Sequence, residues 1–433
     1  MHRTLAALVT TVLAAPAVLF AQQAPVPACA QDSAGQSGGL TLPAGFCATV
    51  VADEVGFARH LAVAPNGDIF VTLRNMPGVP GGIVGLRDTN GDGRADVRER
   101  FGDTGGTGLV LHNGYLYQAQ DFAIVRFPIK TGELKPSGAA ETVVTGFPDQ
   151  RVHPTKTLAF DASGGLYVNV GLRANACTDP DQTKTSGLNP CTYLETGGGV
   201  WRFDANRTGQ VFGKDGRQYS TGLRQTNAMA WHPAANALYL VQHGRAGLNR
   251  WTEYYTPDQN AEQPSEELQR IDQGSNHGFP YCYYDRLQNK RVLSPEYGGD
   301  GKKEGDCAKY QAPVAAYPAH WAPNDMMVYT GTQFEPKYRG GIFIAFHGGS
   351  SRAPLPQGGY NVVFQPMRDG KASGAYEVFA HGFAGMPTIM TTKEAAARPM
   401  GLAQGPDGSL YVIDSIKGKL WRVMYRPGAS RTN

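Results

Sequence analysis

Charge is scarce in this chain. Only 18% of its 433 residues are Asp, Glu, Lys or Arg, and the net charge is +3. Neither a basic run nor a basic–aromatic alternation occurs, which argues against a nucleic-acid partner. Beyond the first twenty residues no apolar run is long enough to cross a bilayer as a helix, so the mature chain is expected to lack a membrane span. The six cysteines contain no C-x-x-C pair and no C-x-x-C-H. Those absences exclude a Cys-based zinc site and covalent haem attachment. Glycine (55) and proline (29) are plentiful but follow no collagen period. Together with 41% hydrophobic residues they fit many short strands joined by tight turns.

The start of the chain has the layout of an export signal. His2 and Arg3 are weakly basic and Leu5 to Phe20 is largely apolar. Cleavage after Ala21 leaves Leu19 where a small residue is preferred. Ala15-Pro16-Ala17 fits that rule better but would leave an apolar tail. The expected organisation is a signal peptide over 1–21, an extension over 22–40 and one domain over 41–427. An N-terminal anchor is the competing reading, and the stretch is short for one. Export to a periplasmic or secreted location makes disulfides natural. Short loops favour Cys29–Cys47, Cys177–Cys191 and Cys282–Cys307, although six cysteines allow 15 connectivities.

A degenerate repeat runs through the mature chain: a short strand, a tight turn, and a second strand rich in apolar and aromatic residues. Copies read LAVAPNGDIFVTL from Leu61, LVLHNGYLYQA from Leu109, LAFDASGGLYVNVG from Leu158, MAWHPAANALYLVQ from Met229 and LAQGPDGSLYVID from Leu402. A weaker copy, MMVYTGTQFEPKYRGGIFIAF, starts at Met326. Asn-Gly, Gly-Gly and Asp-Gly pairs suit hairpin turns. Six irregularly spaced copies point to an all-β, six-bladed β-propeller with long loops on its funnel face, since a solenoid would be more regular. The longest excursions are 174–222 and 244–317. The closing strand is either KLWRVMY from Lys419 or a segment near the mature N-terminus.

Three groups of residues stand where such a fold aims side chains at its axis. His153, in RVHPTKTLAFD, precedes the strand of the third copy, and its imidazole suits a general base. A loop histidine bonded to a carbonyl is the plainer alternative. Arg224 and Asn227, in STGLRQTNAMAWHP, take the same place in the fourth copy and could hold an anionic ligand. Alternatively Arg224 pairs with a surface carboxylate. The turn VQHGRAG leaves the next strand, and its carbonyls are hard-oxygen ligands for calcium or simply a turn. Separately, DTNGDGRADVRE places Asp88, Asn90, Asp92, Asp96 and Glu99 at the ligand positions of an EF-hand-type loop, with Gly93 at the sharp turn. A polar hairpin is the alternative there.

TGLRQTNAMAW, then VQHGRAG, then EELQRIDQGSNHGFPY resembles the central signature of the soluble glucose/sorbosone dehydrogenases that use pyrroloquinoline quinone (PQQ) and calcium. AFHGG and RPMGLAQGPDGSLYVID are closest to the sorbosone branch. The resemblance implies that His153 removes the substrate hydroxyl proton while hydride passes to the quinone. It implies that Arg224 stabilises charge on the quinone, that Gln225 and Asn227 contact PQQ, and that the carbonyls of Gly244 and Arg245 hold calcium. Arg352 and Arg398 become candidates for the PQQ carboxylates. Departures are Thr157 where a basic residue is usual, with Lys156 one position earlier as its replacement. Met400 stands in place of a second arginine, and Arg245 in place of proline. The implied activity is PQQ- and calcium-dependent oxidation of an aldose or hydroxy-aldehyde, passing electrons to an unidentified acceptor. A calcium-dependent six-bladed lactonase and a non-catalytic binding propeller are the alternatives.

Overall fold

The computed structural model describes residues 37–427. Within them the chain forms six sheets around a central channel. The inner strands are Ala58–Val63, Gly106–His112, Leu158–Phe160, Ala228–His232, Pro323–Val328 and Pro399–Gln404. Each meets the next around a closed ring. All six repeat copies are the first two strands of a blade, so the expected six-bladed propeller is the fold.

The second strands explain why these segments are strands at all. Ile69–Leu73, Gly165–Val170, Ala237–Gln242, Ile342–Phe346 and Leu410–Asp414 are buried at every position. A strand sandwiched between two neighbouring blades has no solvent face, so both pleat faces are apolar or hydrogen-bonded. The core accordingly lies between blades. One apolar cluster fills each of the six interfaces, for example Phe70, Ile83 and Phe101 of blade 1 against Leu109, Leu116 and Phe127 of blade 2. Tyrosine hydroxyls reinforce three interfaces by donating to the next blade: Tyr117 to Ala205 O (3.1 Å), Tyr239 to Gly370 O (2.7 Å) and Tyr329 to Gly408 O (2.8 Å).

The ring closes with both segments between which the sequence left a choice. Leu420–Tyr425 is the third strand of blade 6, and Phe46–Ala52 pairs antiparallel with it as the outer strand. Phe46 then packs edge-on against Phe334 (4.8 Å between centroids) and Phe379 (5.0 Å) of blade 5.

The two long excursions are not simply loops. The first contains Gly199–Asp204 and Arg217–Thr221, the outer strands of blade 3, and the second contains Glu266–Ile271 and Ala315–Tyr317 of blade 4. Their polar composition hid these strands. Both also stitch blades together through short parallel pairings, Gln210–Val211 to blade 2 and Ser275–Asn276 to blade 3. Cys177–Cys191 and Cys282–Cys307 are bonded as expected. Cys47 is also disulfide-bonded, and its expected partner Cys29 lies outside the described residues, as do the expected signal peptide and most of the extension.

Because Phe46 anchors the closing strand, Phe46→Ala should lower stability by about 2–3 kcal/mol, less than a fully buried aromatic would lose, since Phe46 is only partly buried. Thermal unfolding monitored by circular dichroism checks this, and an unchanged midpoint would mean that closure does not depend on this contact.

Candidate active site

Six equivalent blades put equivalent positions at the same end of the channel. The residues at or just before the inner strands therefore converge there: Arg59, Thr107, Thr155, Gln225, Asn324 and Arg398. The turns after the second strands add Arg74, Asp121, His243 and His347.

His153 is buried and lies in the loop entering blade 3. Its Nδ1 hydrogen-bonds the carbonyl of Leu172, so Nδ1 carries the proton and Nε2 is left as a bare acceptor. Burial, then the adjacent Arg224 guanidinium, holds the imidazole well below its ordinary range and hence neutral. The carbonyl bond of the plainer sequence reading is thus present, and it fixes the tautomer that a base requires.

Arg224 is half-buried. Its guanidinium donates to Asn175 Oδ1 (2.8 Å) and Gly244 O (3.3 Å), while its Nε is buried with no partner among the described residues. Burial lowers it to about 10, with Glu266 opposing, so it stays cationic at neutral pH. Among the described residues no carboxylate forms an ion pair with it, in contrast to the surface-pair alternative. The Gln225 amide donates to Thr155 Oγ1 (2.5 Å) and Asn227 Oδ1 (2.7 Å), and its Oε1 is buried and unpartnered. From Asn227 the chain of contacts continues across the channel to Asn324 (3.2 Å), Met400 Sδ (3.3 Å), Arg59 (3.5 Å) and Thr107 (3.4 Å). A polar belt drawn from all six blades thus floors the funnel. Met400, the residue in place of a second arginine, is one of its links.

Arg398 reaches the same end, donating to the carbonyls of His347 and Gly348. Sequence reading missed Arg59 and Arg74. Arg59 occupies the pre-strand position of the first copy, so the repeat itself held the signal, and Arg74 follows that copy's second strand. Neither forms an ion pair among the described residues. The charges are close enough to act on one another: burial and then Arg74 lower Arg59 to about 10, with Asp121 opposing and Arg398 adding to the fall.

Gly244 and Arg245 leave blade 4 at this end. Buried Glu266 accepts from the Gly244 N–H (2.7 Å) and fixes the turn. The Arg245 side chain points away into a buried ion pair with Glu296, which ties the turn to the second excursion. Lys156 does not replace the missing basic residue. It is fully buried, donates to Pro154 O (2.6 Å) and stands over Phe147. Arg352 is not brought to the cluster as a free charge either: Glu262 neutralises it at 2.6 Å, and the carbonyls of Ala261 and Pro356 take further donors.

The loop carrying Asp88, Asn90 and Asp92 is an exposed hairpin whose side chains bond its own backbone, Asp88 to Gly91 N and Gly93 N, both 2.8 Å. Asp96 accepts from Thr89, and Glu99 lies on the outer strand of blade 1. Among the described residues no group of three His, Cys, Asp or Glu side chains is arranged to hold a metal ion, so a cation here would rely on carbonyl and amide oxygens.

The TrAA12-like family profile matches residues 40–426. The fold is similar to a pyranose dehydrogenase PQQ domain from Coprinopsis cinerea in its holo form, at 18% identity over 89% of this chain and 97% of that one, with a TM-score of 0.70. A calcium structure of a Trichoderma reesei family AA12 enzyme gives 16%, 89%, 97% and 0.71. The soluble aldose sugar dehydrogenase of Escherichia coli in its apo form gives 19%, 88%, 100% and 0.55. At such identities these likenesses speak for the fold. An uncharacterized protein of Borreliella burgdorferi is 28% identical over 208 residues, 47% of this chain and 48% of that protein. The chain thus spans about half the length of the curated relative it matches.

The buried imidazoles make a pH prediction. Desolvation lowers His60 to about 4, His243 and His277 to about 3, and also depresses His153, His320 and His347. Each binds a proton on unfolding below about pH 6.5, so stability falls as pH drops from there. Buried Glu266 and Asp325 are raised and act in the opposite sense, but they are two against six. The melting temperature should fall as pH is lowered from 6.5 to 5. A flat or rising profile would show that these rings are not neutral in the folded state.

Proposed function

The chain belongs to the TrAA12-like family, and on that premise we propose that it is an exported oxidoreductase that oxidises an aldose or hydroxy-aldehyde using PQQ and calcium. The observation that carries this reading is the juxtaposition at one mouth of the channel: a histidine held as a neutral Nε2 base beside arginines that form no ion pair among the described residues. Two buried atoms without partners, Arg224 Nε and Gln225 Oε1, suit a polar planar ligand. A lactonase of the metal-dependent type would need converging carboxylates, and this funnel carries guanidinium groups instead.

The residues present fit the cofactor. Arg59, Arg74 and Arg398 would hold its carboxylates, with Gln225 and Asn227 bonding its polar edge. The carbonyls of Gly244 and Arg245 would hold calcium, in a turn kept in shape by Glu266 and Arg224. When bound, PQQ supplies the two-electron acceptor and calcium the Lewis acid. The protein supplies the rest. His153 Nε2 accepts the substrate hydroxyl proton, and Leu172 O stabilises the imidazolium that results by accepting from Nδ1. Arg224 steadies negative charge at the reacting end, and the polar belt closes the channel beneath it. Among the described residues no helix is long and apolar enough to cross a membrane, which agrees with a periplasmic or secreted place of action.

Titration of the protein with PQQ and calcium should give a bound-quinone absorbance change and dye-linked sugar oxidation. His153→Ala should keep PQQ bound while losing about 10²–10⁴ in turnover, the usual contribution of a general base. Arg224→Ala should lose both affinity and rate. Full turnover by the His153 variant on its best substrate would remove that residue from the mechanism, and a protein indifferent to PQQ would end the reading.

A further inference from the structure

Beside the arginines stands a carboxylate with no part in the chemistry of the base or the cofactor. Asp121 sits in the turn after the second strand of blade 2, which is closed by a bond from Gln120 N to Ala123 O (2.9 Å). It lines a cavity of about 270 Å³ together with Arg59, Arg74, Asn75, Thr107 and Thr155. Among the described residues it is the one carboxylate on that wall. Its charge acts through space on Arg59 and Lys156, yet it accepts no hydrogen bond and forms no ion pair with either among the described residues. Pro154, the neighbour of His153, lines the same cavity. An unpartnered carboxylate is an acceptor-only group. A carboxylate that merely neutralised Arg59 or Arg74 would be drawn into contact with it, yet neither contact forms.

Resting on the PQQ reading above, we propose that Asp121 recognises the substrate, accepting hydrogen bonds from adjacent hydroxyls of a neutral sugar and excluding sugars that carry a carboxylate. With the arginines neutralised by an anionic cofactor, Asp121 is the charge left facing the substrate. Hydroxyl groups donate to it, and a second carboxylate is repelled. Asp121 is thereby a specificity determinant distinct from the base.

D-Glucose and D-glucuronate, which differ in charge at C6, are the probes, with wild type and Asp121→Asn compared. Binding is read by saturation-transfer NMR with and without PQQ and calcium, turnover with a dye acceptor, and PQQ affinity by absorbance. The wild type should prefer glucose. Asp121→Asn should lower kcat/KM for glucose about tenfold, chiefly through KM, and narrow the glucose-to-glucuronate preference by at least as much, with PQQ affinity unchanged. An unchanged preference overturns the proposal, as does binding of neither sugar by the wild type. Weakened PQQ binding in the variant would overturn it too, by assigning Asp121 to the arginines. If the wild type takes up no PQQ, the cofactor reading fails by itself. Glucose binding alone, compared by NMR between wild type and Asp121→Asn, still decides for Asp121, because a neutral sugar carries no charge for the free arginines to attract.

Discussion

Everything at the candidate site depends on ring closure. The antiparallel pairing of Phe46–Ala52 with Leu420–Tyr425 joins the two ends of the described chain in one blade. Once the ring is closed, six inner strands must start at the same end of the channel. Residues scattered from Arg59 to Arg398 then become neighbours without any local motif linking them. The interblade clusters hold that geometry rigid, because each second strand is locked on both faces. A site assembled this way is as precise as the packing between blades.

The same closure concentrates charge. Four guanidinium groups, those of Arg59, Arg74, Arg224 and Arg398, share one mouth with four neutral imidazoles close by, the buried His60 and His153 and the half-buried His243 and His347. Like charges brought together repel, and the half-buried ones lose hydration as well. Structural arginines elsewhere in the chain avoid this: Arg245 has Glu296, Arg291 has Glu267 and Arg352 has Glu262. The contrast is physical. Arginines that stabilise the fold are ion-paired, while those at the funnel make no ion pair among the described residues even with Asp121 nearby, an arrangement that an anionic ligand would relieve.

Much of this was legible in the sequence, and the rest was hidden for definite reasons. The six strand–turn–strand copies showed the architecture because second strands buried on both faces must be continuously apolar. Outer strands such as Arg217–Thr221 escaped notice because they are half exposed and polar. His153, Arg224 and Asn227 stood out as channel-facing candidates from their place before a repeat strand, Gln225 only through the family resemblance, and the same rule applied to the first copy would have found Arg59. Arg74 and Asp121 had no such marker, since turns after second strands vary in length. Arg352 looked like a cofactor ligand only because sequence does not reveal Glu262 beside it. Lys156 looked like a replacement cation, but the backbone turns it inward onto Pro154.

If ring closure builds an anion cradle for a quinone cofactor against a pre-set base, a crystal of the protein soaked with PQQ and calcium will show it. Density for the cofactor is expected at the funnel mouth, its carboxylates against Arg59, Arg74 and Arg398, and its ring edge between Arg224 and the Gly244 turn, within reach of His153 Nε2. Density elsewhere on the propeller, or a funnel that remains unchanged at saturating PQQ, would contradict it.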